Sequence, residues 1–265
     1  MEGTAQISDT DRHFDVMHRV LRSYAKHKRD EQLEGEIQRL ISASRMVHPE
    51  SDGPARVGRL AEGRILAVIG QPGAGKTRAL ERVFHQRDEF WKSVEIEDRT
   101  LISVKAPSPC TLKQLGIVLL KALGYPTVRD LRENIVWQMV RERLQFRGIR
   151  YVHIDELQHA VEYATDGELQ KVRNTLKALL QQTEWPIFLI LSGLPMLIDF
   201  IQGDRQLKRR SRFVTFADMS LSADRDDIHA MARGVIIGAA KLNAGTIFKD
   251  AFYGRLLHAA ENQFG

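Results

Sequence analysis

The chain has 265 residues, 43% of them hydrophobic, with 39 basic and 34 acidic side chains and a formal net charge of +5. This composition excludes a disordered tail or a mini-protein and allows one α/β domain with a small appended domain. The positive charge is compatible with an acidic partner such as nucleic acid, although many enzymes are equally basic. The single cysteine, Cys110, excludes an intrachain disulfide framework and fits a reducing compartment. Without the apolar run of a signal peptide or a membrane span, we expect a soluble cytoplasmic protein.

The amino-terminal part of the chain has apolar residues at helical spacing among many charges. This pattern predicts two exposed amphipathic helices between about Arg12 and Met46. The following stretch HPESDGPARVG (48–58) is rich in Pro and Gly, which predicts a linker. We therefore predict a helical arm and linker over residues 1–58.

The rest of the chain alternates short apolar runs with longer helical patterns, which is typical of a parallel sheet with crossover helices. Helices are predicted to begin near Lys76, Thr111, Asp130, Gly167 and Pro195. After Ser220, the segments Ala223–Lys241 and Thr246–Gln263 predict a helical lid. The fold class is therefore α/β, a three-layer sandwich over 59–220 with a lid over 221–265. Its five predicted strands are Ile65–Ile69, Leu101–Lys105, Tyr151–Ile154, Ile187–Leu191 and Phe213–Phe216.

A phosphate-binding motif follows the first predicted strand and opens a helical pattern. The residues match G-x-x-x-x-G-K-[ST] in full. Glycines let such a loop wrap so that backbone N–H groups and the helix amino terminus point at a phosphate. Lys76 adds a positive charge for the β- and γ-phosphates of ATP, and the Thr77 hydroxyl is a ligand for Mg²⁺. The predicted nucleotide-binding residues are Gly70, Gln71, Pro72, Gly73, Ala74, Gly75, Lys76, Thr77 and Arg78.

The apolar run Tyr151–Ile154 ends in two acids, Asp155 and Glu156. A Mg²⁺ ion held by a hydroxyl and phosphates needs a carboxylate at the end of a neighbouring strand, and hydrolysis needs a base that orients water. We predict that Asp155 supports the metal and that Glu156 polarises the attacking water. An acidic helix N-cap is the ordinary alternative. We interpret His153 as a packed core side chain.

Ser192 ends another apolar run, at the edge of the sheet where ligands of open α/β sheets bind. Its hydroxyl either senses the γ-phosphate or opens the following helix.

A basic stretch, Arg205–Arg212, precedes the last strand. In ATPases that assemble as rings or filaments, an arginine of the next subunit neutralises transition-state charge. Arg210 is the favoured candidate, with Arg209 and Arg205 as substitutes; a solvated or DNA-facing patch is the alternative.

Four stretches taken together resemble the AAA+ transposition regulators of the TniB/TnsC family. The loop and the acidic pair are typical of the whole P-loop NTPase superfamily, whereas the LSG-L-P stretch followed by D-x-Q-L-x-R-R indicates this narrower group. The resemblance extends over about residues 10–265 and implies the AAA+ fold. The stretches are VIGQPGAGKTR (68–78), VHIDELQHA (152–160), ILSGLP (190–195) and DRQLKRRSRF (204–213).

The resemblance implies an oligomer, a helical filament or ring, that assembles with ATP on double-stranded DNA and recruits a transposase, with hydrolysis dismantling it. DNA contacts would come from Lys105, Lys113, Thr127 and Arg129, and would be non-specific and salt-sensitive. Each of these is otherwise an ordinary surface residue. Pro109 stands where related proteins can carry a basic residue. Because the lid arginine of such proteins would lie beyond Gly265, we expect a shortened chain.

Two other functions compete with transposition. A replication initiator or helicase loader shares the loop, the acidic pair and an interface arginine. A signalling ATPase would bind only proteins. Salt-sensitive binding to random duplex in ATP, and not in ADP, separates transposition regulation from a signalling ATPase.

Overall fold

A computed structural model describes residues 9–47, 62–91, 99–126, 130–182 and 184–263. The predicted linker at 48–58 and the predicted DNA contacts Thr127 and Arg129 lie outside these residues. Within the described ranges, no helix has both the length and the apolar character needed to cross a lipid bilayer.

The structure confirms the predicted five-stranded parallel sheet, and its strand order is β2-β3-β4-β1-β5. The three central strands are buried along their whole length, as expected for strands covered by helices on both faces. The two edge strands have exposed positions. The strands are β1 (Ile65–Gly70), β2 (Leu101–Lys105), β3 (Tyr151–Asp155), β4 (Phe188–Gly193) and β5 (Ser211–Phe216).

Helices begin close to the predicted positions, and at two of them the sequence carries a recognisable capping residue. Thr111 and Thr165 each form a capping box with the residue three positions later. The helices of the sheet region are α3 (Lys76–His85), α4 (Leu112–Ala122), α5 (Glu133–Phe146), α6 (Asp166–Leu180), α7 (Met196–Gln202) and α8 (Arg205–Arg210). The prediction missed α8, a short helix whose first turn is capped by the Asp204 carboxylate.

The remaining helices lie near the two ends of the chain. They are α1 (Asp9–Arg22), α2 (Lys28–Val47), α9 (Leu221–Arg233) and α10 (Asp250–Ala259), and a π-helical segment, Gly234–Ala239, continues α9. Two 3-10 turns, Asp88–Phe90 and Leu157–Ala160, complete the regular structure of the described residues.

The chain divides into two compact units, one of Met1–Asp30 with Asp218–Phe264 and one of Glu31–Ala217. In the first unit the Arg19 guanidinium donates to the Ala239 carbonyl at 3.0 Å, and Tyr253 is buried in a small core. Helix α1 groups with the carboxyl-terminal helices in the first unit, and most of α2 groups with the sheet in the second. The boundaries predicted at residues 58 and 220 stay a prediction.

Candidate functional site

Residues 70–77 connect the carboxyl end of β1 to the first turn of α3. Gly73 and Gly75 have φ angles of 78° and 82°, in the left-handed region that side chains with a Cβ disfavour. At Gly70, an added Cβ would lie 2.8 Å from the Phe216 carbonyl oxygen on β5. The loop therefore needs glycine at these three positions to wrap around the amino terminus of α3.

The Lys76 side chain is buried inside this loop. Its ammonium donates to the carbonyl oxygens of Gly70 and Gln71, both at 2.9 Å. Burial lowers the pKa of Lys76, while the carboxylates of Glu156 and Asp155 act in the opposite direction. The cation is thus fixed at the mouth of the loop and faces the two acids that the sequence singles out.

Thr77 and Asp155 meet at the same place although 78 positions separate them. The Thr77 hydroxyl donates to Asp155 Oδ2 at 2.8 Å. Asp155 Oδ1 accepts from the Ser192 hydroxyl at 2.5 Å and from the Glu156 backbone N–H at 3.0 Å. Burial raises the pKa of Asp155, but these hydrogen bonds outweigh it and hold the pKa below its ordinary value. A charged carboxylate beside a hydroxyl is a set of hard oxygen ligands, which fits Mg²⁺.

Glu156 directly follows Asp155 and has a left-handed backbone, with φ 54° and ψ 37°. Such a conformation is costly for a residue with a Cβ and needs support from its surroundings. The Gln158 side-chain amide donates to the Glu156 carboxylate, and the Gln158 side-chain oxygen accepts from the Leu194 N–H at 3.3 Å. Gln158 is buried. It therefore ties the predicted base to the loop after β4, a role that the sequence analysis missed.

Ser192 lies on β4 and is fully buried. Its only proton goes to Asp155, so in this structure the hydroxyl supports that carboxylate and is not turned toward a phosphate. His153 on β3 is also buried, as expected for a core residue. Both of its ring nitrogens are hydrogen-bonded, Nε2 to Ser192 Oγ at 2.8 Å and Nδ1 to Ser103 Oγ at 2.7 Å.

Arg210, the arginine favoured from the sequence as an interface residue, is committed to contacts within its own chain. Its Nε donates to Glu62 Oε2 at 3.0 Å, a second guanidinium nitrogen binds Glu62 Oε1, and a third binds the Gln206 carbonyl. This arrangement argues against the favoured role. The side chains of Arg205 and Arg209 are exposed. They are better placed to contact another molecule.

The basic stretch lies at the opposite end of the sheet from the phosphate-binding loop. Arg209, Arg210 and Arg212 line a cavity of about 570 Å³ together with Arg39 and Arg64, where β1 and β5 begin. The loop lies where β1 ends. Five residue steps at about 3.3 Å each separate the two ends of β1 by roughly 17 Å. The arginines are therefore far from the loop of their own chain.

Two of the predicted DNA contacts are described. Lys105 is exposed at the carboxyl end of β2. The Lys113 ammonium pairs with the exposed carboxylate of Asp130, which holds the pKa of Asp130 below its ordinary value. Lys113 would have to exchange this partner for a phosphate.

A family model described as AAA domain matches residues 59–201, which is more than half of the chain. Among solved structures, Cdc6p from Pyrobaculum aerophilum is 15% identical, with a TM-score of 0.54 over 84% of this chain and 53% of its own. The Orc1 protein of Aeropyrum pernix in complex with DNA is 17% identical, with a TM-score of 0.50 over 81% of this chain and 52% of its own. Drosophila ORC bound to DNA is 14% identical, with a TM-score of 0.55 over 100% of this chain and 66% of its own.

At these identities the similarity shows a shared fold. The chain spans about half the length of the first two of these structures. A comparison with curated protein sequences returns no match.

Proposed function

Because the chain belongs to the AAA domain family, we propose that it binds ATP with Mg²⁺, hydrolyses ATP, and acts on double-stranded DNA as an oligomer. The observation that carries the nucleotide part is the convergence of Lys76, Thr77 and Asp155. The ammonium, the hydroxyl and the carboxylate lie together at the carboxyl end of the parallel sheet.

Each residue of the site has a physical task in this proposal. Lys76 and the N–H groups of the loop bind the phosphates. Thr77 and Asp155 hold the metal, which when bound supplies neutralisation of charge on the β- and γ-phosphate oxygens. Glu156 orients a water molecule and accepts its proton. Gln158 sets the position of the Glu156 carboxylate before substrate arrives, so less reorganisation is needed during the reaction.

The separation of the two ends of the sheet supports an oligomer. An arginine at the start of β5 lies roughly 17 Å from the loop of its own chain, by the strand rise of about 3.3 Å per residue. If such an arginine neutralises phosphate charge, it belongs to a neighbouring copy. Arg209 and Arg205 are the exposed candidates, because Arg210 is bound to Glu62.

Two biological roles are compatible with this chemistry. Two of the similar structures are described as bound to or in complex with DNA, and both belong to origin-recognition proteins, which supports a replication-initiator type of ATPase. Transposition regulation rests on ILSGLP (190–195) and DRQLKRRSRF (204–213). The initiator type is the better supported of the two, and a transposase partner remains the narrower proposal. In the transposition role, DNA binding would use Lys105, Lys113 and, outside the described residues, Thr127 and Arg129.

The nucleotide part is tested with a fluorescent ATP analogue and a phosphate-release assay. Lys76→Ala should abolish analogue binding, whereas Lys171→Ala, which removes an exposed lysine of α6, should bind as the wild type does. Glu156→Gln should bind the analogue and lose turnover by about a hundredfold or more, since a positioned base contributes roughly 10²–10⁴-fold in rate. Undiminished binding by Lys76→Ala would refute the assignment of the loop.

The DNA part is tested by binding to random-sequence duplex at increasing salt. Binding in a slowly hydrolysed ATP analogue should be tight and should weaken steeply with salt, because phosphate contacts release counterions. Binding in ADP should be much weaker. Electron microscopy of the same mixture should show rings or a helical coat on the DNA. Equal, weak binding in both nucleotides would favour an ATPase that binds only proteins.

A further inference from the structure

A chain of hydrogen bonds crosses three strands beneath α3 and ends at the proposed metal-binding carboxylate. It begins at Ser103 on β2, passes through His153 on β3 and Ser192 on β4, and reaches Asp155 at the end of β3. The three distances are 2.7, 2.8 and 2.5 Å. His153 is 2% exposed, and the Phe84 ring of α3 packs against it edge-on with the centroids 5.3 Å apart.

Each hydrogen bond of this series is donated in the direction of Asp155. A charged carboxylate only accepts hydrogen bonds, so the Ser192 proton is committed to Asp155. Ser192 can then only accept from His153, which requires the proton of the neutral imidazole on Nε2. Nδ1 is left as an acceptor for the Ser103 hydroxyl. One tautomer of His153 therefore satisfies every partner.

This directed chain restricts the Asp155 side chain. Oδ1 is saturated by the Ser192 hydroxyl and the Glu156 N–H, so the carboxylate is held with Oδ2 toward Thr77. Without a donor at Nε2 of residue 153, the Ser192 hydroxyl would lose the contact that holds its oxygen in place. It could then turn away from Asp155.

We propose that His153 is a positioning residue for the metal site, which through Ser192 orients Asp155 for Mg²⁺. The inference rests on the proposed nucleotide function and extends it to a residue that touches neither nucleotide nor metal. Groups that orient a metal ligand in this way typically change metal affinity by about 10–100-fold when they are removed.

The test compares the Mg²⁺ concentration that gives half-maximal tightening of ATP-analogue binding. His153→Leu should raise this concentration about tenfold. In His153→Gln the amide N–H reaches the position of Nε2 and keeps the hydrogen bond to Ser192. This variant should therefore need a Mg²⁺ concentration within about threefold of the wild type, because the weakening of one other hydrogen bond, to Ser103, has roughly that effect. His85→Leu is the control: it changes an exposed histidine of α3, the helix whose Phe84 packs on His153, and should leave the Mg²⁺ requirement unchanged. Analogue binding in chelator should be equal in all four proteins, because the loop is intact.

Ser192→Ala is the second variant, since it removes the link with a smaller change in volume. It should raise the Mg²⁺ requirement as His153→Leu does. A normal Mg²⁺ requirement in both variants, or a failure of His153→Gln to restore it while the protein stays folded by circular dichroism, overturns the proposal.

Nitrogen-15 NMR of labelled histidine separates this inference from the proposed function. The wild type should give the Nε2–H tautomer for His153, and Ser192→Ala should lose that preference. If no nucleotide binds to the wild type, the proposed function fails, and the tautomer still reports whether the directed chain exists. A dominant Nδ1–H tautomer in the wild type contradicts the chain.

Discussion

Replacing Arg210 by alanine should destabilise the sheet unit, whereas replacing the adjacent Arg209 should not. The Arg210 side chain is 6% exposed and binds Glu62 through two nitrogens, while Arg209 is exposed. Loss of one partner from a fully buried ion pair costs about 3–5 kcal/mol. Glu62 keeps 30% of its side chain exposed, so water can rehydrate part of the carboxylate. We therefore expect a loss of about 2 kcal/mol for Arg210→Ala and less than about 0.5 kcal/mol for Arg209→Ala.

The stabilisation should also depend on pH. The hydrogen bond from Arg210 holds the pKa of Glu62 below its ordinary value of 4.5. A carboxylate with a depressed pKa in the folded state contributes stability that is present above its unfolded pKa and is lost as the pH falls through the folded value. The difference between wild type and Arg210→Ala should therefore be full at pH 7 and shrink below about pH 4.5.

Urea unfolding followed by tryptophan fluorescence reports on the compact unit that contains Arg210, because Trp91, Trp137 and Trp185 all lie within residues 31–217. A loss of about 2 kcal/mol corresponds to a thermal midpoint lower by about 4–8 °C for a unit of this size. Arg209→Ala is the matched control, and we expect it to lower ATP turnover at unchanged stability. If Arg210→Ala unfolds like the wild type and loses turnover instead, its guanidinium acts outside its own chain and the reasoning is wrong.

Three further predictions concern the metal site and its surroundings. Burial lowers the pKa of His153 from 6.5 to about 4, so between these pH values the unfolded state binds a proton that the folded state does not. The free energy of unfolding should therefore rise by about 3 kcal/mol between pH 4 and 6.5. Urea unfolding of His153→Gln at the same pH values should show a smaller rise. In Gly193→Ala, the new Cβ would lie 2.3 Å from the Gln158 side-chain oxygen, so melting curves should show a loss of about 1–3 kcal/mol and phosphate release should slow. A chelator should stop hydrolysis and leave weaker ATP-analogue binding through Lys76, measured by fluorescence.

Much of the fold was predictable because its signals are local. The central strands are continuous apolar runs, and α4 and α6 begin at capping boxes that can be recognised in the sequence. The strands β3 and β4 extend to Asp155 and Gly193, beyond their apolar residues, because backbone pairing does not stop where hydrophobicity does. The strand order depends on long-range packing, which local patterns do not encode.

The residues of the site also differ in whether local sequence predicts their roles. The loop at 70–77 was predictable because its glycines and Lys76 must be consecutive to surround a phosphate. The roles of His153 and Gln158 were not, because their partners come from other strands or from the loop after β4. The pairing of Arg210 within its own chain could not be predicted for a similar reason: a run of basic residues does not indicate which member is buried, and Glu62 lies 148 positions away.

The two ends of the sheet differ in charge chemistry, and this difference constrains how copies could assemble. The carboxyl end carries the loop with Lys76 and the acids Asp155 and Glu156. The amino end of β1 and β5 carries a cavity lined by several arginines, two of which pair with Glu36. A two-fold dimer joins the same surface of both copies, so it could bring the arginines of each copy to the loop of the other only if both features lie on that one surface. A head-to-tail contact joins the arginine end of one copy to the loop end of the next. Its repetition gives a closed ring or an open helix. Only this second arrangement gives the ring or helical coat on DNA that the proposed function expects.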